Sequence, residues 1–136
     1  MFGQIDAQPI FIPMLAHVCL TAILYAALTV VRAPTVWGVG LDKDGSNPWK
    51  SLEPRISANL SNQFEWPVLF YVACLLGMLI GAANATGFLV LAWVFVAGRI
   101  AHSFVQILTS NIRLRGVVFT VNFLAVLGMW GYLIGK

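Results

Sequence analysis

Charge is what this sequence has least of. Eight of its 136 residues are Lys or Arg and five are Asp or Glu, 10% in all, against about 25% in a water-soluble domain. Sixty per cent are hydrophobic, and the mean hydropathy is +0.86. That balance excludes an ordinary soluble enzyme and points to an integral membrane protein. The few cations lie at the edges of apolar runs and form no basic face, so no nucleic-acid partner is expected. Cysteine is equally scarce. Cys19 and Cys74 sit inside apolar runs without a CxxC partner, and read as small buried hydrophobes. His17 and His102 fall in different runs, so no metal site is expected. No nucleophile triad, phosphate loop or dinucleotide fingerprint is present. The opening MFGQIDAQPI has no basic leader region, so the first apolar run is read as a retained span.

About 20 apolar residues cross a bilayer as a helix, so 136 residues leave room for four spans and little else. The expected architecture is all-α, a single four-span domain over residues 1–136. Its helices are expected at about 9–32, 55–83, 87–108 and 113–134. The loop after the first span, with LDKDGSNPWKSLEP, holds most of the soluble polarity, and Trp37 and Trp49 fit headgroup-level anchors. AANATG is too short for anything but an antiparallel hairpin. Lys43, Lys50, Arg55, Arg113 and Arg115 gather on one side, with Arg32 at the same level. The positive-inside rule makes that side cytoplasmic and places both termini outside the cytoplasm.

Two polar ladders interrupt the apolar runs: Asn59, Asn62 and Glu65 in the second helix, and Arg99, His102 and Gln106 in the third. A charge at the centre of a membrane helix costs about 2.5–3.5 kcal/mol on insertion scales. The third-helix set spans about 60° of the helix face, the second about 120°. Folding the hairpin pairs Glu65 with Arg99, Asn62 with His102 and Asn59 with Gln106, because each pair keeps nearly the same sum of residue numbers. Two readings stay open. The ladders are interhelical glue, worth about 0.6–2 kcal/mol per contact, or they are the wall of a ligand site. Arg113 and Arg115, in NIRLRG, also have two readings. They fix topology, or they form a cationic site for an anion or a thiolate, since a nearby cation favours the charged form of a thiol.

Taken together, NQFEWPVLFY, GRIAHSF, NIRLRGVVF and an aromatic last helix resemble the second to fourth helices of the MAPEG superfamily, the membrane-associated proteins of eicosanoid and glutathione metabolism. The likeness covers about residues 10–134 and is nearest the bacterial branch. It implies an integral membrane four-helix bundle in a homotrimer, set among membrane lipids in a bacterial inner membrane. Its sites would lie between subunits near the cytoplasmic face. It further implies glutathione as cofactor and a transferase or peroxidase activity on lipophilic substrates. Arg113 or Arg115 would stabilise the thiolate, and Asn62, Glu65, Arg99 and His102 would line the glutathione site. Two positions depart from the catalytic members: Ala58 stands where they carry an Arg, and Gln106 where they carry a Tyr. The alternative is a non-catalytic scaffold or accessory subunit of the same fold, or a lipid-binding protein.

Overall fold

The computed structural model describes residues 8–136. It contains five helices, α1 (Phe11–Trp37), α2 (Glu53–Asn62), α3 (Pro67–Leu79), α4 (Thr86–Leu108) and α5 (Ile112–Ile134). Three of these, α1, α4 and α5, are each long and apolar enough to cross a membrane. At 1.5 Å per residue, the 23 residues of α4 reach about 35 Å, more than a hydrocarbon core of about 30 Å.

The expected second helix over 55–83 is instead two helices with a bend at 63–66. Pro67 is the cause. It has no N–H to give the Gln63 carbonyl, and its ring would crowd that carbonyl in a regular helix. The chain tightens ahead of it: the amides of Gln63 and Phe64 donate to carbonyls three residues back, each at 3.0 Å, as in a 3₁₀ turn. Helix α3 then ends at Gly81, whose φ of +75° is the left-handed conformation favoured by glycine at a helix terminus.

The first helix runs past its expected end to Trp37, with Pro34 inside its last turn. Asn47 ties the following loop back onto it, donating to the Val31 carbonyl at 2.9 Å and to the Thr35 hydroxyl at 2.8 Å. In the same loop Ser46 donates its hydroxyl to Asp44 at 2.6 Å and its amide at 3.0 Å, which holds that carboxyl below its usual range.

Helices α4 and α5 form the tightest pair, joined by residues 109–111. Asn111 caps α5, its side-chain oxygen accepting from the Leu114 amide at 3.0 Å. One antiparallel register runs the length of the pair: Phe88 meets Tyr132, Leu91 meets Gly128, Gly98 meets Asn122, and His102 meets Phe119. At Gly98 the approach is so close that a Cβ would overlap the Asn122 side chain.

Two apolar clusters hold the helices together. One joins Phe70, Ala73 and Cys74 of α3 to Phe88, Ala92, Phe95 and Val96 of α4 and to Ala125, Val126 and Met129 of α5. The other packs Leu24, Leu28 and Val31 of α1 on Ile56 and Leu60 of α2. Between them lies a layer of buried polar side chains: His17, Asn59, Gln63, Arg99, His102, Ser103 and Asn122.

Candidate functional site

Five residues of the buried polar layer, His17, Asn59, Gln63, Arg99 and Ser103, form one connected hydrogen-bond network with Asn62, Tyr71 and Gln106. Its lower end is the expected contact between ladders: Asn59 Nδ2 donates to Gln106 Oε1 at 2.9 Å. Asn62 Nδ2 reaches the same oxygen at 3.3 Å, so Asn62 meets Gln106 where His102 was expected. Asn59 Oδ1 in turn accepts from the Ser103 hydroxyl at 2.8 Å and from Gln63 Nε2 at 3.2 Å.

The upper end differs from expectation. Arg99 does not pair with Glu65: its Nε donates to Gln63 Oε1 at 3.2 Å, and the ion pair among the described residues is Arg32–Glu53, at 2.6 Å between the ends of α1 and α2. The bend before Pro67 explains the exchange. By changing the turn from four residues to three, it buries Gln63 and leaves Glu65 exposed on the surface of the chain. Gln63 Oε1 also takes His17 Nε2 at 2.9 Å, and His17 Nδ1 lies 2.6 Å from the Tyr71 hydroxyl.

Sequence reasoning passed over Gln63 and Tyr71 and set His17 aside. All three stand in apolar stretches on neighbouring helices, and matching their depths was the signal available. It also passed over Asn122, which is wholly buried with both amide atoms unpartnered. Arg99 Nη2 and His102 Nδ1 lie buried without a protein partner too. Buried polar atoms are nearly always paired, and each exception calls for a physical reason such as strain, a bound water or a chemical role.

Below this layer, a groove of about 370 Å³ opens at the mouth expected to be cytoplasmic. It is lined by Arg55 and Ala58 of α2, Val105 and Gln106 of α4, and Arg115 of α5. Arg55 is held there by the Ile107 carbonyl at 3.3 Å and the Ser110 hydroxyl at 3.1 Å. Arg113, the other sequence candidate, is exposed and lines no part of this groove. Arg115 and Gln106 share the groove because they stand level in the α4–α5 register. Gln106 is joined to Arg99 through Asn59 and Gln63, whereas the Glu65 side chain makes no hydrogen bond among the described residues. Among the described residues no three His, Cys, Asp or Glu side chains come together as a metal site requires.

The resemblance in sequence implied a site between subunits with Asn62, Glu65, Arg99, His102 and Arg113 or Arg115; of these, Arg115 alone lines the groove described here. The sequence model of the MAPEG family matches residues 10–135, nearly the whole chain. The chain belongs to the MAPEG family. No curated protein and no solved structure matches it. Membership makes it a membrane-helical protein of a family tied to glutathione and eicosanoid metabolism. Within that MAPEG frame, the position of Ala58 is open wall, and Arg55, about one turn earlier, supplies the α2 cation.

Proposed function

We propose that this MAPEG protein is a glutathione-dependent membrane transferase or peroxidase acting on lipophilic electrophiles. One observation carries the reading: Arg55, Arg115 and Gln106 line a single groove. The donor set suits an anionic tripeptide, with guanidinium groups for carboxylate and thiolate and amides for peptide groups. The unpartnered Arg99 Nη2 and His102 Nδ1 add polar capacity deeper in the same layer. Glutathione supplies a thiol whose ionised form is a strong, soft nucleophile.

The residues would divide the work by position. Arg115 holds negative charge at the mouth and favours the thiolate over the thiol; what supports it over Arg113 is that it lines the groove. Arg55 orients a carboxylate. Asn59 and Asn62 fix the Gln106 oxygen, so its amide N–H₂ remains for the ligand. A lipophilic substrate would enter from the bilayer, where the helices are apolar.

The protomer forms a single four-span unit in this reading, with α2 and α3 together making the fourth span, and it assembles as a homotrimer. Glu65 supports assembly: an exposed carboxylate within a membrane span is costly until a neighbouring subunit or ligand covers it. The residence is a bacterial inner membrane with both termini outside the cytoplasm. A C-terminal fusion should then be active only with a periplasmic reporter; activity of a cytoplasmic reporter would reverse the topology.

A second reading has its own support. Gln106 already serves as acceptor for two asparagines, so the same residues also make sense as glue in a non-catalytic scaffold or lipid-binding protein. Calorimetry separates the two. Purified protein titrated with millimolar glutathione should give saturable heat, and a non-thiol analogue of equal charge should bind more weakly. No saturable heat with glutathione would leave the scaffold as the better account.

A further inference from the structure

A second groove, of about 280 Å³, lies where α1 ends and α2 begins. It is lined by Arg32, Thr35 and Val36 of α1, Asn47 and Lys50 of the loop, and Glu53 of α2. At 1.5 Å per residue, Arg32 stands about 32 Å along α1 from Phe11, one hydrocarbon thickness of about 30 Å away. The groove is therefore at headgroup level. Its surroundings agree: Val36, Trp37, Val39, Leu41 and Trp49 are exposed, as in the aromatic belt of a membrane interface. Glu65, the carboxylate assigned above to a subunit contact, lies about 18 Å further along the chain's helices at the same rise per residue.

The charges of this lining do not cancel. Arg32 Nε donates to Glu53 Oε1 at 2.6 Å, so those two neutralise each other. Lys50 makes no hydrogen bond or ion pair among the described residues, and it leaves the lining with one net positive charge. Asn47 is committed within the fold. Its Nδ2 donates to the Val31 carbonyl and the Thr35 hydroxyl, and its Oδ1 accepts from the Trp49 amide at 2.8 Å. The Thr35 oxygen thus accepts from Asn47, and its own hydrogen goes to no described residue. An unpaired ammonium and a hydroxyl hydrogen stand together at the membrane boundary.

We propose that this groove seats the headgroup of an anionic phospholipid such as phosphatidylglycerol. Lys50 pairs with the phosphodiester, the Thr35 hydroxyl donates to one of its oxygens, and Val36 meets the start of the acyl chains. One negative charge then answers the one unmatched positive charge. A choline or ethanolamine head brings a cation of its own and leaves the net charge of the lining unanswered. The position at headgroup level, among exposed tryptophans, is what favours a lipid over a free phosphate ester.

Native mass spectrometry of the full chain in detergent tests this, using phosphatidylglycerol and phosphatidylcholine with identical acyl chains. Phosphatidylglycerol should be retained about fivefold more strongly, the effect of one cation at a lipid surface. Lys50→Gln should remove most of that preference. Lys43→Gln takes the same charge from the same loop outside the groove, and should keep it. Saturating glutathione should leave the retained lipid unchanged. Equal retention of the two lipids by the unmodified protein would overturn the proposal, whether or not the variants fold. So would equal losses from the two lysine variants, which would make loop charge the cause. Displacement of the lipid by glutathione would also overturn it, by moving the lipid to the groove of Arg55 and Arg115. Displacement by millimolar glycerol phosphate would assign the groove to a free phosphate ester instead of a lipid.

Discussion

Replacing Arg115 by Leu should abolish both the thiolate absorbance of bound glutathione near neutral pH and turnover, while assembly survives. A cation at the groove edge stabilises the ionised sulfur relative to the thiol, so removing it raises the thiol pKa and empties the reactive form. Losing one preorganised electrostatic contact of this kind typically costs 10²–10³-fold in rate, and a fall of roughly a hundredfold or more is expected here. Arg113→Leu should change little beyond expression, because that side chain is exposed and outside the groove. Arg55→Leu should weaken glutathione binding with a smaller effect on the bound thiolate, since its assigned partner is a carboxylate. Ultraviolet difference spectra of saturated protein, followed by steady-state kinetics, separate these outcomes. Equal losses from Arg113→Leu and Arg115→Leu would mean that net cytoplasmic charge, and not position in the groove, is what matters. The unmodified protein, saturated with glutathione and showing no thiolate, would sink the catalytic reading altogether.

The all-helical character and one of the three expected contacts between the ladders were legible in the sequence, for a definite reason. Asn59 and Gln106 stand at equal depth on regular helices measured from one hairpin, so counting residues brought them together, and the 2.9 Å contact is there. Glu65 and Arg99 satisfied the same count and do not pair, because the count assumed an unbroken helix across Pro67. The proline tightens the preceding turn and rotates Gln63 inward in place of Glu65. The membership of His17 required the depth of α1 against α2 and α3, which are separated from it by a long loop with no fixed register. The close seating of Asn122 on Gly98 was carried by a residue with no side chain, and charge or periodicity says nothing about such a contact. The choice between Arg113 and Arg115 likewise needed the α4–α5 register, which the side-chain pairs from Phe88–Tyr132 to His102–Phe119 supply.

Gln63→Leu should be the most destabilising single change in the polar layer. Its one carbonyl oxygen accepts from both Arg99 and His17, and its amide donates to Asn59. Leucine fits the space and removes all three contacts. The loss then depends on what is left behind. An ordinary interhelical hydrogen bond in a membrane averages about 0.6 kcal/mol, which would make the change mild. Arg99, however, is a wholly buried guanidinium whose Nη2 already lacks a protein partner. Stripping its Nε as well leaves a buried charge with less compensation, a penalty of about 1.5–3 kcal/mol, as for a hydrogen bond to a charged group. The charged term should dominate. Gln63→Leu combined with Arg99→Leu should therefore recover most of the lost stability, and Gln63→Glu should be milder than Gln63→Leu, since a carboxylate still accepts from Arg99. Reversible unfolding in mixed micelles measures each variant. A Gln63→Leu protein within about 0.5 kcal/mol of the parent, or a double variant whose losses simply add, would show that Arg99 is satisfied elsewhere. The network around Gln63 would then be incidental to the fold.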